Sequence, residues 1–435
     1  MSDPVLPPAV PPERVLASGR RALAKRILAF AGAPFLSLVA PFFFLPVLSR
    51  LAGEEAWVAI AVGQSVGGFA ALIVGMGYPT LAPPVLAVAS DEWRRRYIAN
   101  SLHVRLPVWA VAAVAAGMVA GWLAPGAFRA DAFATAIAIS FAGLAPTWYW
   151  VGVGRALPIL WSEVIPRAAA MVVAAGVLLL GGDLLWYPAL MALAMAAGPA
   201  VVYARVAAAE LWKPNRYEVA AVLRGHLPAT IAESAAGAYN ALAVTLVTAA
   251  TTTSEAARYV SGDKAYRIGQ YGVSSLGNAL QGWVAERGAE GVARRMRAAV
   301  GLHVALGASG MVGFSLIGPW LTRFLFGADV AITRATAIGL GVAILGISLG
   351  TVFGRIGLIM LGARRTFMVC VVSASVVGAT ALLVAAARWG APGAAWALGG
   401  TEIASGIAQA TVLAVLWRRR VRAGQPLLHQ ATSTA

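Results

Sequence analysis

The sequence is poor in the residues that usually bind metals or carry covalent chemistry. It has one cysteine, Cys370, and four histidines that lie far apart in the chain. A single cysteine excludes an internal disulfide and a thiolate metal cluster, and the histidine spacing matches no metal-binding motif. Only 12% of the residues are charged, and 18 acidic residues face 34 basic ones. We therefore expect no metal site and no bound cofactor.

Long apolar stretches occupy most of the chain. The composition is 60% hydrophobic, and the mean hydropathy is +0.76. A helix crosses a bilayer with ~20 mostly apolar residues, and backbone groups in lipid must be satisfied within the segment. The sequence thus predicts an all-α membrane protein with twelve transmembrane helices. Their predicted bounds are residues 27–48, 56–80, 106–125, 132–152, 166–182, 184–205, 227–250, 257–284, 298–317, 332–353, 366–386 and 391–416.

The basic residues are distributed unequally between the two sides of this arrangement. With both termini in the cytoplasm, the tails and inner loops contain 26 of the 34 Lys and Arg residues. A shift by one helix would reverse this bias, against the rule that cytoplasmic loops are basic. Short juxtamembrane clusters at residues 94–96 and 418–420 contribute to the net charge of +16 and face anionic lipid headgroups. We expect membrane lipids as partners and no nucleic acid.

The chain repeats its organisation at an offset near 200 residues. One predicted helix ends and the next begins within residues 51–56, and the same occurs within residues 251–256. At this offset Gln64 corresponds to Lys264. We predict an N-terminal lobe at 20–205, a basic cytoplasmic connector at 206–226 and a C-terminal lobe at 227–420. Cytoplasmic tails are expected at 1–19 and 421–435. The two six-helix lobes would be pseudo-symmetric, with a substrate site between them near the bilayer midplane.

Five short motifs resemble those of one membrane-protein family. They read PVLSRLAGEE at 46–55, PTWYWVG at 146–152, ARYVSGDK at 257–264, FLFG at 324–327 and GAPGAAW at 390–396, followed by Glu402. In this order they resemble the polysaccharide (O-antigen) flippases of the multidrug/oligosaccharidyl-lipid/polysaccharide exporter superfamily, although Val151 stands where that family has a glutamine. The resemblance covers roughly residues 20–420.

The resemblance implies a specific activity and location. Such a flippase passes an undecaprenyl-pyrophosphate-linked oligosaccharide across the bacterial inner membrane by alternating access. The expected partners are this lipid-linked oligosaccharide and, as candidates, glycan assembly proteins. A proton or sodium gradient is the candidate driving force.

Six charged residues fall in or beside the predicted helices, where each costs at least ~2.5–3.5 kcal/mol on insertion scales. They are Glu233, Asp263, Lys264, Arg267, Arg355 and Glu402. Lys264 and Arg267 are three residues apart and share a helix face. At a rise of ~1.5 Å per residue they lie ~10 and ~15 Å below the outer surface, where they could donate to a pyrophosphate. The alternatives are an internal ion pair with Asp263 or Glu233, or snorkelling of the side chains to the membrane interface.

The remaining candidates have two interpretations each. Glu233 and Glu402 could bind a coupling proton or cation, or they could neutralise Arg267 and Arg355. A further set of polar residues could bind sugar hydroxyls, or could form hydrogen bonds between helices. This set is Gln64, Asn240, Tyr266, Gln270 and Asn278.

Two other functions are weighed against the flippase. A cation-coupled multidrug antiporter of the same superfamily would need acidic residues in its N-terminal lobe, and we find none within the first four predicted helices. A membrane sugar polymerase or ligase would need long outer loops or a nucleophile–base arrangement. The predicted outer loops have about a dozen residues or fewer. We therefore expect a transporter and not an enzyme.

Overall fold

Helices are the regular structure throughout the described chain. The structure is a computed structural model that describes residues 41–155, 157–211, 216–285 and 291–424. Within these ranges it contains helices and no β-strand, and eight segments are long and apolar enough to cross a membrane. An all-helical, multi-pass membrane protein is thereby confirmed, while the count of twelve stays a prediction. The 1–19 tail, most of the predicted helix 27–48 and residues 425–435 lie outside the described residues.

The chain divides into two compact units, Met1–Gly237 and Ala238–Ala435. The first unit contains α1 (Pro41–Leu51), α2 (Gly53–Gly75), α3 (Tyr78–Val88), α4 (Asp91–Leu123), α5 (Arg129–Ser140), α6 (Thr147–Val153), α7 (Ile165–Leu179) and α8 (Trp186–Leu211). The unit boundary falls within α9 (Arg216–Ala250). The second unit continues with α10 (Thr253–Ala285), α11 (Val292–Phe326), α12 (Arg334–Gly350) and α13 (Arg364–Arg422).

The connector predicted at 206–226 is largely helical in its described part. Residues 206–211 continue α8, and residues 216–226 begin α9. The boundary between the units lies later than predicted, between Gly237 and Ala238. Unit 1 therefore includes Glu233, which we had assigned to the C-terminal lobe. The two helix starts expected from the repeat, Gly53 of α2 and Thr253 of α10, do lie 200 residues apart.

The predicted helix 56–80 is interrupted near its end. Helix α2 ends at Gly75, and Met76 and Gly77 both have left-handed backbone conformations, with φ of 48° and 69°. The chain then re-enters a helix at Tyr78. The carbonyl oxygen of Met76 accepts a hydrogen bond from Nδ1 of His226 on α9, over 2.9 Å. A side chain from a distant helix thus satisfies a backbone group that the break releases.

The predicted helix 132–152 is also interrupted, which corrects the expectation of one continuous span. A 3₁₀ turn at Phe141–Leu144 and Pro146 separate α5 from α6. Pro146 lacks an N–H and restricts the residue before it. The freed carbonyl oxygens have side-chain donors: Nη1 of Arg105 donates to Gly143 over 2.8 Å, and the Tyr203 hydroxyl donates to Leu144 over 3.0 Å.

Two π-helical segments each contain a charged residue. A π-helix at Leu160–Val164 precedes α7 and contains Glu163, and a second π-helix at Thr351–Leu358 follows α12 and contains Arg355. Such π-turns are rare in helices and are frequent at functional sites. The predicted helix 332–353 therefore extends to Leu358 with a changed pitch.

Helix α13 contains the last two predicted spans, which meet at a bend. Gly390 has φ 60° and ψ −146°, a conformation that residues with a Cβ rarely adopt. Glu255 of α10 accepts a hydrogen bond at Oε2 from the Ala391 N–H over 2.8 Å. This carboxylate caps the segment after the bend, and the bend lies in the gap predicted at 387–390.

Candidate functional site

Helix α10 carries three charged side chains within about one helical turn, Asp263, Lys264 and Arg267. Nε of Arg267 donates to Oδ2 of Asp263 over 2.8 Å, and Nη2 of Arg267 donates to the carbonyl oxygen of Asn240 over 3.2 Å. The Asp263 side chain is buried, at 4% exposure, while that of Arg267 is 37% exposed. The ion pair that we had kept as the alternative interpretation is therefore present for Arg267.

Lys264 lies between these two residues in the chain and is half-buried. Because Asp263 compensates the charge of Arg267, the three side chains together carry one net positive charge. The sequence had suggested two cations acting as a pair. The structure instead presents Lys264 beside a neutral ion pair, on a helix that is absent from the eight apolar segments.

The other candidates on α10 are hydrogen-bonded to neighbours. Nη2 of Arg355 donates to Oδ1 of Asn278 over 2.6 Å, which joins the π-turn to α10. Nε2 of Gln270 donates to the hydroxyl of Tyr266 over 3.3 Å, and Tyr266 is buried. Arg355, Asn278 and Gln270 keep part of their surface exposed. They can therefore still contact a ligand.

Glu402 lies on α13 beyond the bend and forms no ion pair within the described residues. Its backbone packs directly on Gly346 of α12, where an added Cβ would come within 2.6 Å of the carbonyl carbon of Glu402. Arg267 pairs with Asp263, and Arg355 bonds to Asn278. Glu402 thus neutralises neither arginine, which removes one of the two interpretations that the sequence left for it.

Gln64, placed opposite Lys264 by the repeat, forms a contact between helices in unit 1. Its Nε2 donates to the hydroxyl of Tyr187 over 2.7 Å, which joins α2 to α8. Tyr187 is buried, and its ring stacks on Phe44 at 4.1 Å between centroids. Gln64 was a candidate for sugar binding, and this bond is the alternative contact that we had considered for it.

Unit 1 contains a buried cation that the sequence reasoning missed. Arg105 has no solvent exposure, and it donates to Ser101, Gly143 and the hydroxyl of Tyr203. Its guanidinium carbon lies 5.0 Å from the ring centroid of Tyr78 and 5.3 Å from that of Trp148. Carbonyls, hydroxyls and aromatic faces surround this charge, and no carboxylate pairs with it within the described residues.

Glu233 lines the same region. A cavity of about 340 Å³ in unit 1 has Arg105, Trp148, Thr147 and Glu233 in its wall. Glu233 is half-buried and forms no ion pair within the part of the chain that the structure describes. The carboxylate and the buried guanidinium thus border one cavity.

Unit 1 also contains a buried acid on the π-turn before α7. Glu163 is buried and accepts a hydrogen bond from the hydroxyl of Thr147 over 2.6 Å, while Nη2 of Arg167 lies 3.5 Å from the same oxygen. Neither Glu163 nor Glu233 lies within the first four predicted helices, where we found no acidic residue. Both nevertheless belong to unit 1, so this unit contains embedded acids.

A helix-capping signal in the sequence could have shown that Arg105 lies inside a helix and not in a loop. Helix α4 begins at Asp91, where Ser90 Oγ accepts a hydrogen bond from the Trp93 N–H over 3.3 Å. Serine followed by two acidic residues is a helix-start pattern, and it precedes the apolar run by fifteen residues. We had counted Arg105 with the cytoplasmic loop because the predicted helix began at residue 106. Glu163 also has a local signal, because Arg167 lies one helical turn away and pairs with it.

A family model described as "Polysaccharide biosynthesis protein" matches residues 23–281, more than half of the chain. No curated protein sequence gives a significant match. Among the described residues, no group of three His, Cys, Asp or Glu side chains is placed to bind a metal.

Solved structures share the fold at low sequence identity. An inward closed conformation of the lipid II flippase MurJ matches with a TM-score of 0.70 and 12% identity, covering 88% of this chain and 87% of the other. An inward-facing multidrug resistance MATE family transporter of the MOP superfamily matches with a TM-score of 0.66 and 12% identity, covering 90% and 99%. A MATE protein in complex with MaL6 matches with a TM-score of 0.58 and 12% identity, covering 91% and 96%. At this identity the likeness establishes the fold alone.

Proposed function

Because the chain belongs to the polysaccharide biosynthesis protein family, we propose that it is a flippase for an undecaprenyl-pyrophosphate-linked oligosaccharide. It would move this lipid from the cytoplasmic to the outer leaflet of the bacterial inner membrane, for export of a surface polysaccharide. The family assignment agrees with the resemblance expected from the five sequence motifs. One solved structure with this fold is a lipid II flippase, and a flippase is therefore compatible with the architecture.

The observation that carries the proposal is the net positive charge on α10. Lys264 stands beside the Asp263–Arg267 ion pair, in a chain that has only three lysines among 34 basic residues. Lys264 belongs to the predicted helix 257–284, where a cation within the membrane would be costly and would call for a functional reason. A pyrophosphate that crosses the membrane past Lys264 needs charge-assisted hydrogen-bond donors there. Lys264 supplies a strong one, and Arg267 retains exposed N–H groups beside it.

Transport would proceed by alternating access of the two units. The sugar hydroxyls would contact the polar side chains of α10, namely Gln270 and Asn278, with Arg355 beside them. The prenyl tail would stay in the lipid, since its transfer into a polar cavity is unfavourable. Glu402, an acid without an ion pair in the described chain, is our candidate for binding the coupling proton or sodium ion. Glycan assembly proteins would deliver and receive the lipid.

Complementation tests the role of Lys264. Cells that lack their own flippase and express Lys264→Ala should show surface polysaccharide reduced by about tenfold or more, as expected for the loss of one charge-assisted bond. Lys264→Arg should retain part of the activity because it keeps the charge. Arg258→Ala is the matched control, since Arg258 lies on the same helix and pairs with Glu255 over 2.9 Å. Full restoration by Lys264→Ala at normal membrane levels would contradict the proposal.

A multidrug antiporter is the second candidate, and one observation favours it. Buried Glu163 and half-buried Glu233 give unit 1 the embedded acids that a cationic drug would require. A multidrug resistance transporter also shares the fold. A susceptibility panel separates the two candidates: raised tolerance to cationic dyes on expression, lost in Glu233→Gln, would favour the antiporter. Unchanged tolerance together with restored polysaccharide would favour the flippase.

A further inference from the structure

An apolar groove opens at one end of unit 2. It has a volume of about 510 Å³ and lies between α11, α13 and the π-turn that follows α12. Its apolar wall includes Met296, Val300, Phe353 and Leu413. Arg297 and Arg418 line it as well. We call this feature the basic-end groove.

The groove lies at the basic end of unit 2. It contains residues from the start of α11 and from the last turns of α13. Nη2 of Arg420 donates to the carbonyl oxygen of Leu361 over 2.7 Å, which places the turn before α13 at the same end. The positive-inside rule assigns this end to the cytoplasmic leaflet, whose anionic lipids attract basic segments near the membrane.

The two arginines of the groove have no acidic partner within the described residues. The ion pairs of unit 2 there involve Arg258 and Arg267. In the described part of the chain, Arg297 donates its Nε hydrogen bond to a backbone carbonyl of its own helix, 3.4 Å from the oxygen of Ala293. Both Arg297 and Arg418 are exposed. Their charges are therefore directed to the solvent and headgroup region beside an apolar floor.

A second cavity in unit 2 shows that an apolar floor bordered by arginines is not a general property of the surface of this unit. That cavity, of about 590 Å³, lies at the bend of α13 and is lined by Trp389, Trp396, Pro392 and small apolar residues. It contains no charged side chain. Apolar lining alone fits any acyl chain, whereas two guanidinium groups at the mouth match a phosphate, which arginine binds with two parallel hydrogen bonds.

We propose that the basic-end groove binds an anionic glycerophospholipid of the cytoplasmic leaflet. Arg297 and Arg418 bind its phosphate, and the first carbons of its acyl chains contact Met296, Val300 and Leu413. The site belongs to the protein as a membrane component. It does not depend on which substrate the protein carries, so its failure would leave the proposed function untouched.

Native mass spectrometry of the purified full-length protein tests the site. The probes are dioleoyl phosphatidylglycerol and dioleoyl phosphatidylethanolamine, which share acyl chains and differ in charge. The wild type should retain phosphatidylglycerol preferentially. The double variant Arg297→Gln/Arg418→Gln should weaken that binding by about tenfold or more, since each charge-assisted contact contributes on this scale.

Two further variants separate the site from general attraction between charges. Arg364→Gln/Arg365→Gln removes the same charge from exposed residues at the same end that do not line the groove, and it should leave binding unchanged. Ala414→Phe fills the groove without changing charge and should weaken binding as Arg297→Gln/Arg418→Gln does.

Equal binding of the two lipids, or equal loss in both arginine double variants, would overturn the proposal. Displacement of phosphatidylglycerol by equimolar undecaprenyl phosphate would also overturn it, because the groove would then serve the prenyl carrier.

Discussion

Nη1 of Arg105 donates to the carbonyl oxygen of Gly143 over 2.8 Å, in the 3₁₀ turn that separates α5 from α6. The same guanidinium bonds to Ser101 on its own helix and to Tyr203 on α8. One buried cation thus joins α4, the 3₁₀ turn and α8. It also supplies the donor that a broken helix in a membrane requires for its free carbonyl.

Arg105→Lys should destabilise the protein although it keeps the charge. A single ammonium cannot reproduce the planar fork that reaches four acceptor atoms on three residues, and an unsatisfied buried group costs about 1–3 kcal/mol. We expect a lower midpoint of thermal unfolding in detergent. Arg96→Lys is the control, because Arg96 and its partner Glu92 are 56% and 64% exposed, and exposed pairs contribute about 0–1 kcal/mol. Equal midpoints for the two variants would show that the Arg105 contacts do not stabilise the fold.

The coupling between Asp263 and Arg267 can be measured with a double-mutant cycle. Arg267→Gln leaves a carboxylate that is 4% exposed without its ion-pair partner, which costs about 3 kcal/mol or more. Adding Asp263→Asn removes the stranded charge and should recover most of the loss in the unfolding midpoint. If the two single variants instead lower the midpoint additively, the residues are not coupled, and the charge of Arg267 is not compensated.

The helical segments could be predicted from the sequence because apolar runs of bilayer length are a property of neighbouring residues. The interruptions could not be predicted in the same way. The breaks at Met76 and Gly143 are each satisfied by a partner far along the chain, His226 in one case and Arg105 in the other. Nothing near residue 76 or residue 143 in the sequence identifies these donors.

The candidate site shows the same division between local and distant information. The Asp263–Arg267 pair spans one helical turn, so the sequence could offer it as an alternative. The sequence favoured two free cations because insertion cost alone does not reveal which charge has a partner. Glu163 was overlooked for a related reason. Its hydrogen-bond partner Thr147 lies sixteen residues away, at the start of α6. In the sequence, Glu163 looked like part of a loop between two basic positions.

Gly390→Ala should destabilise α13 at its bend. Its φ of 60° and ψ of −146° are strained for alanine, at about 1–3 kcal/mol. The new Cβ would also collide with Oε2 of Glu255. This oxygen accepts the Ala391 N–H, and Oε1 of the same carboxylate pairs with Arg258. Gly400→Ala, on the same helix with no atom within 4 Å of its added Cβ, should be neutral or stabilising by up to about 1 kcal/mol. A Gly390→Ala protein that unfolds at the wild-type midpoint would show that the bend tolerates a side chain.

Glu402→Gln should abolish the dependence of transport on an ion gradient. Among the acids that we singled out in unit 2, Asp263 is neutralised by Arg267, and Glu402 has no ion pair in the described chain. A carboxylate that alternates between charged and neutral forms must lack a permanent counter-ion, and Glu402 meets this condition where Asp263 does not. Transport of a labelled lipid-linked oligosaccharide in proteoliposomes, with and without an imposed proton or sodium gradient, measures the effect. Wild-type transport should be stimulated by one gradient, and Glu402→Gln should proceed at the unstimulated rate under both conditions.

Glu55→Gln, which changes an exposed acid near the start of α2, should keep the stimulation. A Glu402→Gln protein that still responds to the gradient would assign the coupling ion to another group, and Glu233, on the cavity that Arg105 borders, would be tested next.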